Sequence, residues 1–510
     1  MAAKTWSALI DDNWSTAAAW NGAAVPVTTD SITFDATSVK NCTIDNVGTW
    51  SAGTFTIAST YSGIITKNVA IVAAAFSIAA GTFTDGSTSF QCTSFTISGG
   101  AFTATSGTWT NTLGMTKTNS PTFSANGGTI TFTGGSSGTI DMAGLTFNLC
   151  TINKGSAPFT ISSGTTIPLG TNPTITINGT FTVNGTITLT GTLTTSASAS
   201  FTVGSTGIVT WTTPGVFTVS ANLTLNAAAT FPNSIVVTCS GTNNSTIDAT
   251  AQTWGTWTIN KATANVTISA GTTIPFGANP TVTIGGTLTV NGTIDWTGTL
   301  TGSSGVTGVT IGSGGSITSG TAISLTNAAL TINAAATIPA INVTLTYTSS
   351  TARTFAGGGK TFGNFTRTSS ASGTATLTIT GSNTFVDFKD NDGTVAHTIL
   401  FTAGTTQTVK TFTVSGSVGK LVTLNSTSAG SAFTFTVNNP ANVHTCSNYL
   451  SLRDSTVPAS PKWYAANSTN TSGNTNWNFS ACPSDVTKAH TTDSYFHKAS
   501  SKYNYKLHPV

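Results

Sequence analysis

The chain has 510 residues, of which only 6% are charged, with 18 basic against 15 acidic side chains and a net charge of +3. No basic stripe interleaved with aromatics is present, so nucleic-acid binding is unsupported, and the longest apolar run, Val69 to Ala80, is Ala-rich, broken by Ser77 and too short to cross a bilayer as a helix. Water must be met mainly by Thr, Ser, Asn and main chain, and the acids are all Asp with no Glu, so strands are favoured over helices.

Residues 1–50 contain Trp6, Trp14, Trp20 and Trp50. A stack of β-coils leaves an exposed core and unpaired main-chain groups at each end, and aromatics at this density are expected to seal one of them as an N-terminal cap, with Pro26 marking a turn. Trp6, Trp14 and Trp20 have a second reading, as a surface on which a carbohydrate stacks. The opening stretch, with Lys4, Asp11 and Asp12 and no apolar core, does not read as a secretory signal peptide. Residues 51–129 read as a β-rich lead-in.

Residues 130–370 hold the decisive pattern. GTTIPLGTNPTITINGTFTVNGTITLTGTLT from Gly164 returns from Gly271 as GTTIPFGANPTVTIGGTLTVNGTIDWTGTLT, 107 residues on. Ile152-Asn153-Lys154 recurs as Ile259-Asn260-Lys261, and Leu223 to Pro232 recurs from Leu330, at the same offset. A third copy begins and drifts at Thr361. A spacing kept without insertion over such a length means that each copy builds the same main-chain path, as stacked supersecondary units do.

Within each copy Ile175, Phe181, Ile187 and Leu193 lie six residues apart, as do Val282, Leu288, Ile294 and Leu300. Each hexad alternates apolar residues with Thr and ends in Asn-Gly or Thr-Gly, which predicts very short strands with one apolar face and a bend after each. We read this as an all-β, elongated parallel β-solenoid (β-helix) with a distinct N-terminal cap and a C-terminal β module. The alternative is a set of stacked antiparallel hairpins in a β-sandwich, since Asn-Gly is also the strongest hairpin signal. At a rise of about 4.8 Å per coil and roughly twenty residues per coil, the rod spans on the order of 100 Å.

Residues 371–481 are less repetitive and form the C-terminal β module. Asp387, Asp390 and Asp392 in DFKDNDG read first as an Asp/Gly turn and second as a fragment of a structural calcium site, although the distal carboxylate of a complete calcium loop is missing. Residues 482–510 form a polar, basic, Tyr- and His-rich tail that reads as a tether. The five histidines, His397, His444, His490, His497 and His508, read as solvated polar groups, with a metal site at His490 and His497 as the weaker alternative.

Six cysteines, Cys42, Cys92, Cys150, Cys239, Cys446 and Cys482, lack CxxC spacing, which argues against a zinc site and for small buried apolar side chains, with a Cys446 to Cys482 bridge as an option. An enzyme is not expected. Between Gly86 and Val386 the only acids are Asp141, Asp248 and Asp295, of which the first two are repeat-equivalent, and no histidine precedes His397. Glycoside cleavage by paired carboxyl groups or a Ser/His/Asp arrangement therefore lacks its parts, and Asp295 is the lone remaining acid for a depolymerase.

Three segments carry a resemblance. The Trp6, Trp14, Trp20 pattern with PVTTDSITFD, the stretch DFKDNDGTVAHTILFTAGTTQTVKTFTVSGSVGKLVTLNSTSAG followed by YLSLRDSTVPASPKWYAANSTNTSGNTNWNF, and TKAHTTDS in the tail resemble parts of repetitive β-helical proteins of phage virions and bacterial surfaces. Together they cover about a third of the chain. The resemblance implies a structural or adhesive protein with no enzymatic residues to carry over, and no cofactor is expected. The expected role is a bacteriophage structural protein on the virion surface, as a fibre, spike shaft or capsid decoration, assembled in the host cytoplasm. Its expected partners are its own copies, in a homotrimer, other virion proteins and a host cell-surface glycan. The alternative is a carbohydrate-binding adhesin on an extracellular surface, and behind it a polysaccharide depolymerase.

Overall fold

The computed structural model describes the whole chain except residues 1, 49, 156, 197, 214, 233–234, 253–254, 304, 391–392, 440–443 and 484–510. It is a parallel β-solenoid of about 20 turns. Each coil has three sides. In the best-formed region, Phe159–Ile161, Thr180–Val183 and Ser200–Val203 stack on the first face, Thr174–Ile177, Leu193–Thr195 and Val216–Val219 on the second, and Thr166–Thr171, Thr186–Thr190 and Ile208–Trp211 on the third. The six-residue beat is thus one side of the triangle: Phe181, Ile187 and Leu193 sit on three successive sides and point into one core. Every pairing between strands of the described residues is parallel, which excludes the stacked hairpins.

Register fixes the core. On the first face Phe159, Phe181, Phe201, Leu223, Ile247, Ile268, Val290, Ile311 and Ile332 lie directly above one another in successive coils. Each is at most 2% exposed. Burying one such side chain stabilises the stack by about 1.5–3 kcal/mol. The alternating Thr residues face outward, where Thr151 and Thr131, or Thr346 and Thr368, join hydroxyls between coils.

Corners need residues that tolerate φ > 0 and satisfy the next coil. Asn172 (φ 49°) and Asn279 (φ 46°) do both: their Oδ1 atoms accept from the Thr192 amide at 2.7 Å and the Thr299 amide at 2.9 Å. Gly191 and Gly298 immediately precede these two Thr residues, and a Cβ at either would run into the Asn side chain. The Asn and the Thr-Gly of the repeat are therefore one device, used twice.

The stack runs without a break through residues 50, 129 and 370, so these boundaries mark changes of sequence within one column. No helix of the described residues is long and apolar enough to cross a membrane.

Candidate functional site: the ends, the wall and the buried ions

At the N-terminal end, Ala3–Thr5 is the first strand of the first face. Its outer edge is covered by Ala19 to Asn21, which run antiparallel across it: Trp6 bridges Trp20, Ser7 N donates to Ala19 O at 2.8 Å and Asn21 N donates to Thr5 O at 3.0 Å. Trp6, Trp14 and Trp20 are at most 1% exposed and meet edge to face, with centroids 5.1 Å apart for Trp6 and Trp20 and 4.7 Å for Trp14 and Trp20. The expected cap is what these residues form. Their second reading is corrected: indoles closed off from solvent offer no ring face to a sugar. Asp30 ties the cap down by accepting from the amides of Val27 and Ala2, and those bonds hold its carboxyl below the ordinary range.

The acids of the repeat region lie apart. Asp141 and Asp248 close the strands Gly138–Asp141 and Ser245–Asp248 on the first face, whereas Asp295 lies in Thr293–Thr297 on the third and accepts from Thr318 Oγ1 at 2.8 Å. Nor do Asp387 and Asp390 converge as calcium ligands. Asp387 faces outward and accepts from the Thr411 and Thr413 hydroxyls at 3.0 and 3.2 Å; Asp390 faces the core and is 0% exposed. Strand alternation and the bend at Asp387 separate the two carboxyls to opposite sides of the wall, and Asp392 lies outside the described residues.

Asp390 instead belongs to a buried cluster. Its Oδ2 lies 2.7 Å from His397 Nε2 and 3.8 Å from an Arg367 amine, and all three side chains are wholly enclosed. His397 Nδ1 is 2.9 Å from Val395 O, so both ring nitrogens of His397 are engaged, one by main chain and one by Asp390. His397 is therefore a core group, contrary to the solvated reading. The guanidinium of Arg367 also packs 4.9 Å from the Tyr347 ring centroid.

Three lysines are buried in the same manner. Lys67 pairs with Asp85 at 2.5 Å on adjacent coils and donates to Thr88 Oγ1 at 2.8 Å. Burial lowers the Lys67 pKa and pushes the Asp85 carboxyl up to about 6, against the opposite pull of each partner. Lys154 donates to Thr112 O, and Lys261 to Ser220 O, Ser240 O and Asn243 O. Lys154 stands two residues after inward-facing Ile152, so the alternation itself was the signal that its ammonium points into the core.

A cleft with a volume of about 550 Å³ opens in the wall. Pro168, which lacks an amide hydrogen, and Gly170 (φ 74°) put a bulge in Thr166–Thr171, so the chain at Leu169 to Ile175 parts from Leu149 to Ile152 on the preceding coil. Its floor is Leu149, Cys150, Leu169 and Ile175, and its rim Thr151, Thr171, Asn172 and Thr174, with no ionisable group except the buried thiol.

At the C-terminal end Cys446 and Cys482 are joined as a disulfide, Cα atoms 5.8 Å apart, the pairing weighed from sequence. His444 lies beside them. Cys42, Cys92, Cys150 and Cys239 are free and buried as expected, and burial raises each thiol pKa, that of Cys92 to about 12. His490, His497 and His508 lie outside the described residues. Compared with known proteins, the chain matches no family model, no curated protein and no solved structure.

Proposed function

We propose that the chain is a structural protein of a bacteriophage virion, forming a fibre, spike shaft or capsid-surface decoration that works by its shape. The observation that carries this reading is the uninterrupted column of about 20 coils, with its buried ions spent on bonds inside the core and Thr and Asn covering its outer wall. A stiff rod with a neutral, hydroxyl-covered exterior and an aromatic plug at one end suits a part that projects from a particle. The resemblance of residues 387–430 and 449–479 to a module of phage and bacterial surface proteins supports the virion setting.

Self-association, as a homotrimer, is part of the proposal. Leu9 (90% exposed), Ile10, Val39 and Ile64 expose apolar side chains along one corner of the first three coils, where Asn41 bonds both to Asp11 and to the Ile64 amide. Light scattering is expected to give three chains per particle, and replacing Leu9 and Ile10 by Ser to lower that number.

The decisive experiment applies an antibody against the rod to particles purified from a lysed culture. Label at one defined position on the virion supports the reading; label confined to cell envelopes, with bare particles, refutes it in favour of a surface adhesin. One observation favours that second reading: the cleft beside Leu149 has a neutral Thr and Asn rim, which suits an uncharged sugar. A depolymerase ranks behind both, and would have to lose activity in Asp295→Asn.

A further inference from the structure

We infer that, with the Cys446–Cys482 disulfide reduced, His444, Cys446 and Cys482 form a binding site for one thiophilic metal ion such as Zn(II). The donor atoms of these three residues lie within 4.8 Å of one another, the only such group of three among the described residues. Zn–S and Zn–N bonds of about 2.3 and 2.0 Å set tetrahedral ligands about 3.5–3.8 Å apart, so the three donors need to close by only about an ångström to share a single ion.

Local structure explains the convergence. His444 and Cys446 are two residues apart in His444–Asn448, so both project from the same side of that strand, and the chain returns past it after Trp477–Asn478 to bring Cys482 alongside. The Tyr464 ring stands perpendicular to the His444 ring with centroids 6.0 Å apart, which limits the orientation of the imidazole. Cys446 is exposed and the other two are half-buried, so an ion has a path in.

Charge decides the ion class. Lys462 is the register partner of His444 on the neighbouring strand and opposes a cation, so a hard ion held by neutral groups gains little here. Two thiolates bring two negative charges and soft sulfur donors, which suits Zn(II) and leaves its fourth tetrahedral position to water or another donor. The electron balance is closed: a thiol reductant supplies two electrons and two protons and becomes its own disulfide, the S–S bond breaks to two thiols, and the ion then displaces one proton from each. Disulfide and metal site exclude one another, so the end of the column has two alternative staples.

The test uses the full chain, reduced without oxygen by a phosphine, freed of reductant and titrated with cobalt(II) chloride. One equivalent is expected to give the thiolate-to-cobalt charge-transfer band and the visible bands of a tetrahedral ion, both lost on adding zinc. His444→Asn is expected to weaken binding by at least the roughly tenfold to hundredfold that losing even an outer partner of a metal site costs. Zinc should also protect Cys446 and Cys482 from alkylation. The inference is overturned if no thiolate band appears, or if a Cys446→Ser, Cys482→Ser chain that keeps its β circular dichroism gives the same cobalt spectrum.

Discussion

Lys154 and Lys261, 107 residues apart, are both 0% exposed, and each carries its ammonium back across two coils to a main-chain carbonyl, Thr112 O for the first and Ser220 O for the second. A lysine in a solenoid core is costly unless paired, and here the pairing is to main chain. The ammonium satisfies carbonyl oxygens at corners where the ladder of the wall is interrupted, and it pins three coils together.

Lys261→Met keeps the apolar stem and removes the donor from Ser220 O, Ser240 O and Asn243 O. Relief of the buried charge offsets part of the loss, and the expected net cost is about 1–3 kcal/mol, read as a lower denaturant midpoint. Hydrogen exchange should quicken in the coils around residues 220–261 and not at Phe34.

The Lys67–Asp85 pair gives a pH dependence with a definite sign. Burial raises the Asp85 carboxyl from 3.8 to about 6, so between those values the folded chain holds this proton more firmly than the unfolded chain. Linkage then makes this group's contribution to stability fall as pH rises through the window and grow as pH drops from about 6 to 4. Unfolding curves of the wild type and Asp85→Asn across that range check this: the wild type should gain relative to the variant on acidification, and a relative loss would mean that Lys67 keeps Asp85 ionised.

Trp20→Ala opens the N-terminal plug. It removes an indole packed on Trp6 and Trp14 and its bond to Trp14 O, at an expected cost of about 3–5 kcal/mol. The uncovered strand edge of Ala3–Thr5 should then recruit other chains, visible as growing particle size in light scattering.

Asn279→Ala loses both the residue that accepts φ 46° and the acceptor of the Thr299 amide. The expected loss is about 1–3 kcal/mol, and Asn279→Gly should recover part of it by restoring the backbone conformation alone. Thermal melts of the three chains rank them.

Cys42, Cys92, Cys150 and Cys239 should resist an alkylating reagent in the folded, oxidised chain and react once it is unfolded, since each thiol is enclosed and held protonated by burial. Intact-mass measurement before and after denaturant counts the adducts, with none expected first and four afterwards.

Much of the architecture was legible because it is local and repeated. The hexads at Phe181, Ile187 and Leu193 name three core residues of one coil without any knowledge of their neighbours, and Trp6, Trp14 and Trp20 marked an end. The sugar-stacking reading of those indoles failed because burial depends on what folds over them, here Ala17 to Asn21. DFKDNDG, read first as a turn and second as part of a calcium site, does not bring Asp387 and Asp390 together, because adjacency in sequence is not adjacency in space and a bent strand sends Asp387 out and Asp390 in.

Alternation, a fixed repeat length and turn residues at each bend are properties of the chain itself, and they determined a column of short strands with an apolar interior and a neutral outside. Which strands pair, where the ionisable groups meet and what lies near what were decided only by the winding of the coils. Arg367, Asp390 and His397, or His444, Cys446 and Cys482, are brought together by stacking and by a chain return, and neither distance is encoded in any local window.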